Sequence, residues 1–125
     1  MRLLIDTQIF IWSVIDSERL THDARKIMLD AETIFVSAAS IWEIAIKTKI
    51  GKLEGNPIEF VSAISKSGFS DLPILASHAA EVYKLPLHHR DPFDRMLIAQ
   101  SVSEKIPILT SDQMFSQYSE LVISV

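Results

Sequence analysis

Short apolar runs alternate with longer amphipathic segments along the chain. The apolar runs predict strands over residues 2–5, 33–36, 69–72, 106–110 and 121–125. Helical spacing and capping residues predict helices over residues 7–15, 21–31, 38–50, 56–67, 77–84, 91–105 and 112–118. Because strands alternate with helices, we predict a three-layer α/β/α fold in which helices cover both faces of a central parallel sheet.

The length and composition are typical of one globular domain. The chain of 125 residues shows no repeat or linker, so we expect a single domain over residues 1–125. Hydrophobic residues make up 48% and charged residues 22%, which argues against disorder. The mean hydropathy of +0.23 is high for so small a domain, and we therefore expect some apolar surface to be buried against a subunit or partner.

Cysteine content and charge exclude several kinds of site. The absence of cysteine excludes disulfides, thiolate metal sites and cysteine nucleophiles. A net charge of −4 means that nucleic acid would need a local basic patch. Either such a patch or a solvated charged surface is formed by Lys47, Lys49, Lys52, Arg90 and Arg95. No apolar run approaches the roughly 18 residues of a membrane span, so we expect a soluble, cytoplasmic protein with no membrane partner.

Four acidic residues are expected at one edge of the predicted sheet. Asp6 directly follows the first strand, and Asp112 closely follows the fourth. Glu43 lies in the first two turns of the third predicted helix, and Asp94 lies in the first turn of the sixth. Because the carboxyl ends of parallel strands meet the N-termini of the helices that follow, all these acids belong to the same edge.

A divalent cation is the expected occupant of this edge. Asp6 follows an apolar strand, and Glu43 lies between Trp42 and Ile44. Two carboxylates about 4 Å apart repel by roughly 4 kcal/mol at an effective dielectric constant of about 20. Oxygen ligands without cysteine suit Mg²⁺ or Mn²⁺, which offsets such repulsion. Because the ion lowers the pKa of a bound water, the acids predict phosphodiester hydrolysis by metal-activated water.

Four motifs occur in order along the chain: LLIDT at 3–7, SAASIWEIAIK at 37–47, HHRDPFDRMLIAQ at 88–100 and ILTSD at 108–112. Together they resemble the PIN domain family, and more narrowly the VapC toxins of bacterial type II toxin–antitoxin pairs. The segment GFSDLPI at 68–74 fits the same subfamily. By position, Asp6, Glu43 and Asp94 match the first three acids of the family, and Asp112 matches the fourth, which is less uniform there.

The resemblance implies a PIN-like α/β/α fold and an endoribonuclease that depends on Mg²⁺ or Mn²⁺. It implies that Asp6, Glu43, Asp94 and Asp112 are both the metal ligands and the catalytic residues. Thr7 and Thr110 match hydroxyl positions that support the acids. The expected partners are an RNA substrate, a second copy in a homodimer, and a cognate antitoxin whose tail enters the site.

The region around residues 88–94 also has an ordinary structural interpretation. Asp91 precedes a proline at the first helical position, so we assign it to the N-cap. Asp94 has the position of the acid in a capping box closed by Asp91. We expect His88 and His89 to face phosphate or solvent in a loop, not to act as a general base or as metal ligands.

The other acids have structural alternatives of the same kind. Glu43 and Lys47 have the i,i+4 spacing of a surface ion pair, although the apolar neighbours of Glu43 favour a buried site. Asp6 and Asp112 are also suitable N-caps for the helices that follow them, with Ser111 as a rival cap for the second.

Other functions compete with a ribonuclease. A dehalogenase-like phosphatase needs a second aspartate two residues after the nucleophile, and Gln8 stands at that position after Asp6. A receiver domain requires paired acids beside the first strand. A DNA-directed nuclease shares the same metal chemistry, and a catalytically degenerate PIN domain would bind RNA or protein without cleavage. These last two alternatives stay open on the sequence.

Overall fold

The computed structural model describes residues 1–88 and 90–125. In these ranges five strands form one sheet: β1 (Arg2–Ile5), β2 (Thr33–Ser37), β3 (Ser70–Leu72), β4 (Ile108–Thr110) and β5 (Val122–Ser124). The strand order is β3-β2-β1-β4-β5, and neighbouring strands run parallel. The predicted central parallel sheet is confirmed.

Helices connect the strands: α1 (Thr7–Val14), α2 (His22–Asp30), α3 (Ala38–Lys49), α4 (Pro57–Lys66), α5 (Ala76–Glu81) and α6 (Pro92–Glu104). Thr21, Asn56 and Asp91 cap α2, α4 and α6 by accepting backbone N–H groups. Among the described residues, none of these helices has both the length and the apolar character that crossing a membrane requires.

The structure differs from the predicted elements in three places. The helix predicted over 77–84 is α5 followed by the 3₁₀ turn Val82–Lys84, since Pro86 keeps Leu85 out of the helical region. The helix predicted over 112–118 is the 3₁₀ helix Gln113–Gln117. The strand predicted over 106–110 begins only at Ile108, because the Ile106 N–H donates to Ser101 O and Pro107 has no N–H to pair.

Apolar side chains pack on both faces of the sheet. Leu3 and Ile5 of β1 belong to one core cluster, together with Phe10 of α1. Leu4, between them, belongs to a second cluster with Leu97 of α6. Because successive strand residues point to opposite faces, β1 is buried from both sides, and the three-layer α/β/α arrangement is confirmed.

A buried polar cluster joins β2, α5 and α6, and we call it the His78 cluster: Ser37, Leu75, His78, Gln100 and Glu104. The Ser37 hydroxyl donates to Gln100 Oε1 at 2.6 Å. The His78 ring is fully buried; its Nδ1 accepts the Leu75 N–H at 3.0 Å, and its Nε2 lies 2.8 Å from Glu104 Oε1. Because Nδ1 is the acceptor, the ring proton is on Nε2 and is donated to Glu104. These hydrogen bonds therefore link β2, α5 and α6.

Candidate functional site

A cavity of about 270 Å³ lies where β1 and β4 end and where α1 and α6 begin. In the part of the chain that the structure describes, five carboxylates line it: Asp6, Glu43, Asp91, Asp94 and Asp112. The four acids predicted from the sequence are thus brought together around one cavity. Lys47 and Lys52 line the same cavity, so acidic groups outnumber basic ones there.

Asp6 is held rigidly at the end of β1. It is the N-cap of α1, and its Oδ1 accepts the Ile9 N–H at 2.9 Å. Its Oδ2 accepts the Thr110 hydroxyl at 2.6 Å, from the end of the neighbouring strand β4. Burial raises the pKa of Asp6 to about 6, and the Glu43 and Asp112 carboxylates add to the rise, while these two hydrogen bonds oppose it.

The two threonines of the motifs have different roles. Thr110 supports two acids, since its Oγ1 donates to Asp6 and accepts the Asp112 N–H at 3.0 Å. Thr7 lines the cavity, but its hydroxyl donates to Ser40 Oγ at 2.9 Å instead of to an acid. That bond fastens α1 to α3 one turn before Glu43, so Thr7 fixes the backbone beside the cavity.

Glu43 is buried in α3, with an accessible fraction of 5%. Its Oε2 lies 2.7 Å from Lys47 Nζ. Its Oε1 is buried and has no hydrogen-bond partner among the described residues. The i,i+4 pair is therefore present but is not a surface pair, and one carboxylate oxygen is left without compensation for its burial.

Lys47 forms an ion pair with one of the cavity acids. The hydrogen bond with Glu43 raises the pKa of Lys47 above its ordinary value, and the charges of Glu43, Asp91 and Asp94 act in the same direction. Its side chain is 46% exposed, so the ammonium group reaches the cavity from the rim.

Asp91 and Asp94 both lie at the start of α6. Asp91 is the predicted N-cap, and its Oδ1 accepts the N–H groups of Phe93 at 2.9 Å and of Asp94 at 3.0 Å. Asp91 also lines the cavity, which sequence reasoning missed because it treated the cap as a purely structural role. The spacing of Asp91 and Asp94, three residues apart at the start of one helix, could have indicated that both acids lie at the cavity.

Asp112 is both an N-cap and a residue of the cavity, the two roles that the sequence analysis considered for it. It caps the 3₁₀ helix Gln113–Gln117 by accepting the Met114 N–H at 2.9 Å, and it lines the cavity. Ser111 lines the cavity but is not the cap.

The predicted basic patch is only partly at the cavity. Lys47 and Lys52 line it, whereas Lys49 is exposed on α3 outside the lining. Arg95 donates to the carbonyl oxygens of residues 82, 85 and 86, so it holds the loop before α6. Arg90 lines a neighbouring cavity of about 340 Å³.

His88, the histidine of the third motif that the structure describes, is not among the residues that line the acidic cavity. The His88 ring contacts the Tyr118 ring edge to face, with centroids 5.2 Å apart. His89 lies outside the described residues.

A family model of the PIN domain matches residues 3–121. The chain belongs to the PIN domain family. This membership supports a nuclease, and therefore hydrolase, activity. No curated protein sequence matches the chain.

Two solved structures show how closely the chain follows the PIN fold. One is a crystal structure of VapBC2 from Rickettsia felis bound to a DNA fragment from their promoter, with a TM-score of 0.69, 13% identity, and coverage of 100% of this chain and 98% of that chain. The other is a toxin–antitoxin complex from Klebsiella pneumoniae, with a TM-score of 0.68, 17% identity, and coverage of 98% and 96%. At these identities the likeness establishes the fold.

The acids of this PIN domain fit a hard divalent cation. Glu43 Oε1 is a buried oxygen that has no partner in the described residues, and Asp6 is buried beside it. The donors are all carboxylate oxygens, which Mg²⁺ and Mn²⁺ prefer. Within residues 1–88 and 90–125, no three acidic or imidazole groups are already arranged as a ligand set. Binding would therefore require side-chain adjustment, and Lys47 occupies the other oxygen of Glu43.

Proposed function

We propose that this PIN domain, acting as a single domain over residues 1–125, is a Mg²⁺- or Mn²⁺-dependent endoribonuclease toxin that a cognate antitoxin neutralises. The observation that carries the proposal is the buried, unpartnered Glu43 Oε1 in a cavity where acids outnumber cations among the described residues. A structural cluster would pair such an oxygen, because burying a carboxylate without a partner destabilises the fold.

Asp6, Glu43, Asp94 and Asp112 would hold the cation in this proposal. When bound, the ion lowers the pKa of a coordinated water and stabilises charge on the phosphate that is cleaved. The N-cap bonds hold Asp6 and Asp112 in fixed rotamers, so little side-chain entropy is lost when a ligand binds. Lys52 and Lys47 provide positive charge at the rim, where the RNA phosphates would lie.

The proposal of a toxin is based on the sequence motifs and on the descriptions of the two similar structures. One is described as a toxin–antitoxin complex and the other as VapBC2 bound to a promoter DNA fragment, and we propose an antitoxin partner for this chain by analogy. We also propose a homodimer. Its support is an exposed apolar stripe along α3 and its C-cap residue, in which Trp42, Ile46 and Ile50 are 59%, 40% and 59% accessible. We also propose a cytoplasmic location, since a chain without cysteine fits a reducing compartment.

Cleavage of a mixed RNA pool tests the nuclease directly. We expect cutting with Mg²⁺, none with EDTA, and loss by about 100-fold or more in Asp94→Asn, since removing a charged ligand costs several kcal/mol of transition-state stabilisation. Asp30→Asn is the matched control, because Asp30 is exposed at the end of α2 on the opposite edge.

The same assay separates the alternatives. Single-stranded DNA of matched sequence should remain uncut; preferential DNA cleavage would replace the ribonuclease with a DNA-directed nuclease. Binding of RNA without cleavage in either metal would indicate a degenerate PIN domain. Activity that persists in EDTA would reject the metal-dependent reaction.

A further inference from the structure

Lys47 pairs with an acid that the proposed function makes a metal ligand. Its Nζ is 2.7 Å from Glu43 Oε2, and Glu43 and Asp6 are the two buried acids of the described cavity lining. The carboxylates of Asp91 and Asp94 are near enough for their charge to act on the same ammonium group. The Lys47 ammonium group therefore pairs with one acid of the cavity, and the charges of two others act on it.

We propose that the Lys47 ammonium is the resident cation of the metal-free site, and that a divalent ion must displace it from Glu43 Oε2 to bind fully. The proposal rests on the proposed function, since it assumes that Glu43 is a metal ligand. It adds a residue that controls metal affinity without itself being a ligand.

The two partners differ in their freedom to move. The Glu43 side chain is 6% exposed and is fixed inside α3, whereas the Lys47 side chain is 46% exposed. A lysine has a flexible stem and a compact charge, so it can leave Glu43 while its stem stays on α3. Displacement thus moves the ammonium toward the rim and leaves the carboxylate in place.

The pair also forms without help from distant parts of the chain. Glu43 and Lys47 are one helical turn apart, with the acid N-terminal to the base, which is the favourable order for such a pair. The charge of Glu43 is therefore balanced within α3 itself. Lys47 thus has two opposing effects: it stabilises the metal-free site and lowers the affinity of the site for a divalent ion.

Calorimetric titration of the whole protein with Mg²⁺ tests the effect of Lys47 on this affinity. We expect Lys47→Met to tighten the Kd for Mg²⁺ by about tenfold or more, because it removes both a competitor and a like charge. Lys52→Met removes a charge from the same cavity without breaking the ion pair with Glu43, and we expect a smaller change of about two- to threefold. Lys49→Met, on the outer face of α3, should leave the Kd unchanged.

A second variant separates displacement from simple charge. In Glu43→Gln the ion pair is absent, so adding Lys47→Met should then tighten Mg²⁺ binding no more than Lys52→Met does. Lys47→Gln also removes the ammonium group, so it should tighten the Kd for Mg²⁺ as much as Lys47→Met does. Equal effects of Lys47→Met and Lys52→Met, or weaker binding in Lys47→Met, would overturn the inference.

The outcomes distinguish this inference from the proposed function. A parent protein that does not bind Mg²⁺ or Mn²⁺ at all contradicts the proposed function. A parent that binds Mg²⁺ with an affinity insensitive to Lys47 contradicts only the displacement.

Discussion

The acidic cavity and the His78 cluster are both buried and polar, but they differ in how completely their polar atoms are hydrogen-bonded. In the His78 cluster both ring nitrogens of His78 are hydrogen-bonded, and Gln100 donates to Pro73 O while accepting from Ser37. In the cavity, Glu43 Oε1 has no partner among the described residues, and the pKa of Asp6 is raised by burial. Buried polar residues occur in both regions of this one domain, so burial alone does not explain the difference in hydrogen bonding.

The unfavourable electrostatic interactions of these two regions are found in the acidic cavity. A fully paired buried network joins elements and rigidifies them. A buried carboxylate oxygen without a hydrogen-bond partner lowers stability and persists where another requirement maintains it. The comparison therefore separates a structural polar cluster from a functional one by pairing alone, and each of the following predictions tests that separation.

Substitution His78→Ala should produce the largest loss of stability. It opens a fully buried space and leaves the Leu75 N–H and Glu104 without their partner, which costs roughly 4 kcal/mol. We expect a clear fall in the urea midpoint at pH 7, while RNA cleavage per folded molecule is retained at low temperature. Glu104→Gln keeps an acceptor for Nε2 and is the mild control. Cleavage lost at full folding would place His78 in the functional region and break the comparison.

The pH dependence of stability should show the cost of the Asp6 charge. The folded-state pKa of about 6 lies above the ordinary value of 3.8, so the folded protein holds the proton more tightly than the unfolded chain. In the metal-free protein, the free energy of unfolding should fall by up to about 3 kcal/mol from this group as the pH rises from about 4 to about 6. Urea unfolding at several pH values measures it.

Asp6→Asn isolates this contribution from the other titrating groups. The asparagine can still accept the Ile9 N–H through Oδ1 but does not titrate, so the variant should lack the decline that the parent shows. Identical pH profiles would mean that the Asp6 charge is compensated in the folded state. Adding Mg²⁺ should also raise the melting temperature of the parent more than that of Asp6→Asn.

Substitution Thr110→Val should give the smallest effect. It removes the hydroxyl that donates to Asp6 Oδ2 and accepts from the Asp112 N–H, for a loss of about 1 kcal/mol. Because that donor lowers the pKa of Asp6, the pKa should rise further, as a carboxyl ¹³C NMR titration would show. Thr110→Ser keeps the hydroxyl and should preserve the pKa. A pKa equal in all three proteins would contradict the support that we assign to Thr110.

Local signals were sufficient for most of the fold. The cap residues Thr21, Asn56 and Asp91 start their helices where the sequence predicts, because capping depends on a few neighbouring residues. The acids meet at one edge because chain direction in a parallel sheet determines it. The start of β4 was misplaced, since it depends on a helix-closing bond from Ile106 to Ser101 that periodicity does not reveal.

Side-chain partners were harder to predict, because they depend on contacts between distant segments. The Thr7 hydroxyl bonds to Ser40 and not to an acid, and nothing in the motif specifies that choice. His78 gave no signal, since a histidine flanked by alanine and serine has the pattern of an exposed helix. Asp91 was assigned one role because its capping signature was so clear, and the cavity showed a second.

The central position of β1 has a consequence for synthesis of the chain. β1 lies between β2 and β4, and the bond between Asp6 and Thr110 joins residues 104 positions apart. A growing chain therefore presents Asp6 long before the strand that supports it has left the ribosome. Until residues 108–112 emerge, no nascent chain has a complete cavity. If the proposed function holds, a growing chain cannot cut RNA until residues 108–112 have joined the fold.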